Sequence, residues 1–311
     1  MDLSVVIVNW NAENYLKRCL ESVYACNKGL SIEVFVVDNN SSDGSVRMIR
    51  SDFPQVKLLE NKDNPGFGAA NNRALKACTG EFVLILNPDT EVRDGAVGKM
   101  TGFLRADPDA GAAGAKLLNA DGSVQMTCAR NYPDLATEFF WLTTLVRRFP
   151  KNRAAGRYLM SYWDHNDRRE VDCLSGACIM ARSKVLKDIG FFDEDYFMYG
   201  EDVDLCYRIK KAGWHIWYLP EAEIVHYGGG STNRIAEKAA IYDRIAISLF
   251  FRKHYGALTA ALYRAMCLFI GSAMAVIAGA SMPFMKDRAK PKKVFFENLA
   301  ILAWSLGLRN G

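Results

Sequence analysis

Up to residue 117 the chain alternates uninterrupted apolar runs with stretches whose apolar positions recur at helical spacing. The run LSVVIV at 3–8 has no polar break beyond Ser4 and predicts a buried strand. Leu16, Cys19, Leu20 and Val23 then share one helical face, and Asn11 is placed to cap that helix. A second apolar run, 32–37, is closed by the turn-rich DNNSSDGS (38–45), whose Asp43 is placed to cap another helix. A strand at 56–59, a helix over 67–78 and a strand over 82–86 continue the alternation. Strands alternating with helices predict an α/β fold: a mostly parallel central sheet flanked by helices. Such sheets bind ligands outside the carboxyl ends of their strands. Asn9, Asp38 and Asp89 each stand just past a strand end, which assigns them to one cleft.

Beyond residue 118 the alternation is lost. NADG at 119–122 predicts a hairpin turn, 132–149 is aromatic with helical spacing, and 171–180 is strand-like. The segment 199–214 reads as a loop entering a helix that stops at Gly213. HIWYLPEAEIVHYGGGST at 215–232 predicts two short strands and a glycine-rich loop. With neither an internal repeat nor a low-complexity linker, the two halves are expected to form one compact unit.

Composition changes this picture little, and its distribution changes it more. The 311 residues are 50% hydrophobic and 24% charged, with a net charge of +4, so no polyanion such as nucleic acid is implied as partner. Eight cysteines lack a C-x-x-C pair, as expected of reduced thiols in a cytosolic chain. No basic start followed by an apolar stretch opens the sequence, which adds to the cytosolic expectation. By contrast, the 21 residues of 265–285 carry no charge, and basic residues flank them: Arg252, Lys253 and Arg264 before, KDRAKPKK (286–293) after. A second apolar stretch with Trp304 follows at 294–308. Basic flanks on both sides oppose a single crossing, so these segments are expected to lie in or dip into the cytoplasmic face of a membrane. The competing expectation is a helical cap packed on a soluble domain.

Three groups of acids carry candidate chemistry. Pro88 stiffens the backbone between Asn87 and Asp89, presenting the Asp89 carboxylate beyond its strand. That suits either a turn former or a ligand of a hard divalent cation on a diphosphate. Asp38 suits either an Asx turn or a contact to a nucleobase or ribose. Glu201 and Asp202, within FFDEDYFMYGED (191–202), are acids in a first helical turn surrounded by aromatic rings. Such surroundings tend to raise a carboxyl pKa towards that of a general base. His226 ends a strand before the glycine run, a place for a metal or phosphate contact as well as for a structural histidine. NPGFGAANN (64–72) holds a G-x-G, but not at the turn after the first strand where a dinucleotide fingerprint belongs; a backbone contact to phosphate or sugar is the remaining expectation.

In order, VVIVNWN, VVDNNSSDGS, NPGFGAANN, LILNPDTEV, LSGACIMARSKVLKDIGFFDEDYFMYGEDVDLCYR and HYGGGST closely resemble the family 2 glycosyltransferases, in particular rhamnosyltransferase-like members. The resemblance covers about residues 1–255. It implies a GT-A fold in 1–256, with a nucleotide-sugar-binding half (1–117) and an acceptor half (118–256), followed by a helical, membrane-associating tail (257–311). It further implies that Asp38 contacts the nucleobase, that Asp89 ends a D-x-D-type motif holding Mg²⁺ or Mn²⁺, and that His226 lies near the metal and diphosphate. Asp202 is implied as catalytic base, with Glu201 and Gly176 towards the acceptor. Asn9, Asn11, Asn40, Gly68, Asn71 and Asn87 fall in the motifs assigned to the nucleotide sugar. The chain departs from the family pattern at Asn87, which replaces the first acid of D-x-D and leaves one charge fewer for the metal.

The activity implied is inverting, metal-dependent transfer of a sugar to a hydroxyl of a glycan or lipid-linked glycan in bacterial cell-surface polysaccharide synthesis. The donor implied is dTDP-rhamnose, with UDP- or GDP-sugars as alternatives. A nucleotidyltransferase would carry a glycine-rich, lysine-containing loop where NWNAENY stands. A non-catalytic binding module would have no need of all four acids.

Overall fold

The computed structural model describes residues 1–26, 29–228, 236–281 and 289–307, with side chains outside 236–238 and 289–293. The glycine-rich run at 229–232 and the basic side chains of 286–293 lie outside the described residues. In chain order the elements are β1 (Leu3–Asn9), α1 (Glu13–Ala25), β2 (Ile32–Asp38), α2 (Ser45–Asp52), β3 (Lys57–Glu60), α3 (Phe67–Leu75), β4 (Phe82–Leu86), β5 (Thr90–Val92), α4 (Ala96–Ala106) and β6 (Ala110–Leu118). Then follow β7 (Ala129–Arg130), α5 (Leu135–Leu142), α6 (Leu145–Arg148), β8 (Arg169–Glu170), β9 (Cys173–Leu174), β10 (Cys178–Arg182), α7 (Ser183–Ile189), α8 (Glu201–Lys211), β11 (His215–His226), α9 (Ala236–His254), α10 (Ala257–Ser281) and α11 (Ala289–Ser305). Contacts group the chain into two compact units: 1–132 with 163–197 and 201–234, and 133–162 with 198–200 and 235–311.

The first unit is built on a nine-stranded sheet of order β3-β2-β1-β4-β10-β6-β11-β5, with β8 on β11. The first four strands are parallel, because each connection between them carries a helix. β1 and β4 are buried along their whole length, as their unbroken apolar runs require of central parallel strands. α1 buries the expected Leu16, Cys19, Leu20 and Val23. The chain runs from β1 outward through β2 to β3, then returns to place β4 on the other side of β1. That reversal is a topological switch point, with its crevice at the carboxyl ends of β1 and β4.

Several local expectations are corrected. The cap of α1 is not Asn11, whose backbone is left-handed (φ 53°). Its Oδ1 instead accepts from the backbone N–H of Ser42 and Asp43 (2.7 and 3.2 Å). Asp43 serves both helices, accepting from Glu13 N and from Ser45 N, each at 3.0 Å. The third helix ends at Leu75, and 132–149 divides into two helices. Segment 171–180 contains a loop between β9 and β10. His215–His226 is a single strand whose register shifts between Leu219 and Glu223. The shift absorbs Pro220, which has no N–H for a sheet ladder. The 119–122 hairpin turn forms, with Gly122 N donating to Asn119 O at 2.9 Å.

The second unit is helical among its described residues. α10 is 25 residues long, and its most apolar window has a mean hydropathy of 1.8, enough by length and composition to cross a membrane. One of its faces buries Ala260, Tyr263, Cys267, Gly271, Ala275 and Ala278. α11 approaches along this face, and a Cβ on Gly271 would stand 3.6 Å from Asn298 and Leu302. The other face exposes Leu258, Leu262, Phe269, Val276 and Ile277. A buried ion pair anchors the unit: Arg244 Nη1 lies 3.3 Å from Glu138 Oε2 and 3.4 Å from the Tyr263 hydroxyl.

Candidate active site

The site begins at paired strand ends. The register of β1 on β2 sets Asn9 opposite Asp38, and Asn9 Nδ2 donates to Asp38 Oδ1 at 2.8 Å. Ser41 ties the group together: its N donates to Asp38 Oδ2 (2.8 Å), and its Oγ accepts from Asn11 N (2.8 Å). Asp38 is therefore rigidly held and almost fully buried, while Asn40, left-handed at φ 58°, is exposed beside it. Three residues outside the expected set join them. Asn39 donates to Asn64 Oδ1 (3.0 Å) and accepts from Asn61 Nδ2 (2.8 Å), linking the DNN turn to the NPGFG loop.

That loop uses its glycines for close packing. Gly66 has φ 93°, and a Cβ there would fall 2.3 Å from Phe197 O. A Cβ on Gly68 would press on Phe192 at 3.3 Å. Asn72 completes the join, exchanging hydrogen bonds with the Phe192 backbone, N at 3.0 Å and O at 2.9 Å. Asn71 donates to Phe67 O at 2.9 Å. Its Oδ1 is buried and has no partner among the described residues.

The NPD turn sits where β4 passes into β5. Asn87 N donates to Ala177 O (3.1 Å), and Thr90 Oγ1 closes the turn on Asn87 O (2.7 Å). β5 pairs antiparallel with the end of β11, setting Thr90 opposite His226, and Tyr227 N donates to Asp89 O at 2.9 Å. This register brings His226 Nε2 to 3.3 Å from Asp89 Oδ1, so the two residues expected at a metal lie side by side. On its other nitrogen His226 meets Gln125 Oε1 at 2.8 Å. One carboxylate and one imidazole are a donor set Mg²⁺ or Mn²⁺ accepts when phosphate oxygens supply the rest. Among the described residues no cluster of three or more His, Cys, Asp or Glu could hold such an ion without substrate.

The ED pair opens α8, whose first turn holds Glu201, Asp202 and Asp204 and whose last turn holds Arg208, Lys210 and Lys211, in the sense the helix dipole favours. Asp202 Oδ2 accepts from Arg130 Nη2 at 2.6 Å and from Gly176 N at 2.9 Å. Its Oδ1 accepts from Val203 N at 2.8 Å. Glu201 is buried, and its Oε2 has no partner among the described residues. Burial first, and the Asp202 charge second, push its carboxyl up to about 8. The raised pKa expected from these surroundings is found at Glu201. Arg130 escaped the sequence reading because its partner lies 72 positions away and nothing in CARNYP marks it.

One loop joins these groups. Ala177 O holds Asn87 N, and the adjoining Gly176 N holds Asp202. A Cβ on Gly176 would meet Asp202 at 3.4 Å and Phe67 at 3.6 Å, both ordinary contacts. Asp38 and the NPD turn follow β2 and β4, the two strands flanking β1.

A switch-point crevice in a mostly parallel sheet, with carboxylates delivered by separate strand ends and a helix N-terminus, defines a GT-A-like α/β fold. The chain belongs to glycosyltransferase family 2: residues 2–245 match the family described as "Glycosyltransferase like family 2". The chain is 32% identical over 243 residues to the N-acetylglucosaminyl-diphospho-decaprenol L-rhamnosyltransferase of Mycobacterium tuberculosis (strain ATCC 25618 / H37Rv), covering 75% of this chain and 78% of that protein. It is 24% identical over 244 residues to the rhamnosyltransferase WbbL of Escherichia coli (strain K12), covering 76% and 87%. Among solved structures, the mannosyltransferase PcManGT from Pyrobaculum calidifontis, in complex with GDP-Man and Mn²⁺, shares the fold with a TM-score of 0.55 at 17% identity, covering 99% of this chain and 88% of that one. This protein is accordingly a glycosyltransferase.

Proposed function

We propose that this enzyme transfers L-rhamnose from dTDP-rhamnose, with inversion, to a hydroxyl of a lipid-linked glycan at the cytoplasmic face of a membrane. The observation carrying the reading is the Gly176–Ala177 loop, which fastens the NPD turn and the Asp202 carboxylate to adjacent residues. A leaving-group end and a proton-accepting end are what direct displacement at an anomeric carbon requires. The two rhamnosyltransferase relatives support the sugar, and the lipid diphosphate named for the mycobacterial one supports the acceptor class.

Asp38 with Asn9, Asn11 and Asn40 would hold the nucleoside, and Gly68, Asn71 and Asn87 would line the donor's path. Asp89 and His226 would hold Mg²⁺ or Mn²⁺. Such an ion, when bound, offsets negative charge developing on the diphosphate. Asp202 accepts the proton of the acceptor hydroxyl. Its three donors leave one of a carboxylate's roughly four acceptor sites for that proton. The acceptor oxygen forms a bond to the anomeric carbon as the carbon–phosphate-oxygen bond breaks, and the nucleoside diphosphate leaves with the electron pair. Protonated Glu201, with Gly176, orients the acceptor. The apolar face of α10 (Leu258, Leu262, Phe269, Val276 and Ile277) supplies the membrane contact.

The test is a panel of dTDP-, UDP- and GDP-sugars offered with a polyprenyl-diphosphate-linked acceptor, read by product mass. Transfer from dTDP-rhamnose supports the proposal, and transfer from a UDP- or GDP-sugar alone replaces the donor. Asp202→Asn should lower turnover by roughly 10²-fold or more with donor affinity retained. Near-wild-type activity in that variant removes Asp202 as base.

A further inference from the structure

We propose that Gln125 is a positioning residue that locks the His226 imidazole in its Nδ1–H tautomer, so that Nε2 turns a bare lone pair towards Asp89. The proposal rests on the reading of Asp89 and His226 as the cation site, but it concerns the proton on the ring rather than the ion.

The assignment follows from a chain of hydrogen bonds that can run in one direction only. It starts at Asp121 in the 119–122 hairpin, whose ionised carboxylate has no proton to give. The Ser123 hydroxyl lies 2.6 Å from Asp121 Oδ1 and must donate to it. Having spent its hydrogen, Ser123 Oγ accepts from Asn119 Nδ2 at 2.9 Å. The Asn119 amide is thereby oriented, and its Oδ1 accepts from Gln125 Nε2 at 2.9 Å. A second acceptor confirms the Gln125 orientation independently: the same Nε2 donates to the His226 backbone carbonyl at 2.7 Å. With both donors committed, Gln125 presents its oxygen to His226 Nδ1 at 2.8 Å. Two acceptors do not rest at that distance without a proton between them, so Nδ1 carries it.

The consequence appears on the opposite side of the ring. In the neutral imidazole the second nitrogen is an acceptor, and Nε2 stands 3.3 Å from Asp89 Oδ1. A lone pair and a carboxylate oxygen at this separation repel unless something positive lies between them. The arrangement is that of a metal-ligating histidine whose other nitrogen is held by an outer partner. The hairpin turn read in the sequence as a mere reversal of chain direction thus sets the protonation pattern of a residue about a hundred positions away.

The experiment uses the full-length protein with specifically labelled histidine and two measurements. Long-range ¹H–¹⁵N NMR of the neutral ring should show the proton on Nδ1 in the wild type. In Gln125→Leu the tautomers should mix, whereas Gln125→Glu, which keeps the oxygen, should retain Nδ1–H. Mn²⁺ affinity in the presence of dTDP, read from the free-ion EPR signal, should weaken roughly 10- to 100-fold in Gln125→Leu. A wild-type ring protonated on Nε2, or a Gln125→Leu variant with an unchanged tautomer, overturns the assignment. Wild-type protein showing Nδ1–H but no Mn²⁺ binding sustains the Gln125 assignment and sinks the metal-site reading instead.

Discussion

Glu33 and Glu201 are both buried glutamates, yet they stand in opposite chemical states. Glu33, at the amino end of β2, receives Ser4 Oγ (2.6 Å), Thr79 N (2.7 Å), Thr79 Oγ1 (2.8 Å) and the Lys57 ammonium (2.6 Å). Burial works against its charge, but these donors outweigh burial and hold the carboxyl down at about 2. Glu201 has burial without such donors, and its carboxyl rises to about 8. The same residue type is a structural clamp where the fold completes its hydrogen bonds and a chemical group where the fold leaves them incomplete.

A third acid, Glu138, lies between these extremes and predicts the largest effect. Its carboxyl is pushed up to about 7 by burial, against the pull of the Arg244 guanidinium. Removing that guanidinium strands a buried acid among apolar helices. Arg244→Met should destabilise the helical unit by about 3–5 kcal/mol, measured by denaturant unfolding in detergent. A loss under 1 kcal/mol would show that Glu138 already resembles Glu201 and needs no partner.

Breaking the clamp itself comes next. Glu33→Gln should cost about 2–3 kcal/mol, since the amide oxygen can keep the Ser4 and Thr79 donors but its N–H group then faces the Lys57 ammonium. The pH dependence has a definite sign. The folded pKa lies below the ordinary 4.5, so the wild type gains stability from Glu33 above about 4.5 and loses it as pH falls towards 2. The variant should lack that part of the acid slope when unfolding is followed between pH 6 and 3.

How far the sequence disclosed all this depends on whether a feature is local. β1, β2 and β4 were legible because strands buried on both faces need unbroken apolar runs. β11 was divided in two because Pro220, Glu221 and Glu223 break its pattern, and only the sheet shows a register shift accommodating them. Asn11 was taken for a cap because capping residues are recognised by type and place, whereas its side chain is claimed by Ser42 and Asp43, across a different turn. The acids of the site were legible from motif and strand end. The residues that hydrogen-bond them, Arg130 to Asp202 and Gln125 to His226, lie 72 and 101 positions from their partners, and no local pattern announces them.

The last effect is the sharpest test of the comparison, because it reverses the usual sign. Glu201 binds its proton in the folded chain up to about pH 8, while an unfolded glutamate releases it near 4.5. Between those values the unfolded state holds fewer protons, so stability declines as pH rises. Glutamine has the shape of the protonated acid and no proton to lose. Glu201→Gln should therefore stabilise the protein at pH 8, with the gain shrinking to nothing below pH 4.5. Thermal unfolding of both proteins at pH 4.5, 6 and 8 reads the difference directly. A variant less stable than the wild type at pH 8 would mean that Glu201 is ionised and paired like Glu33, and the distinction between clamp and chemical group would fall at this position.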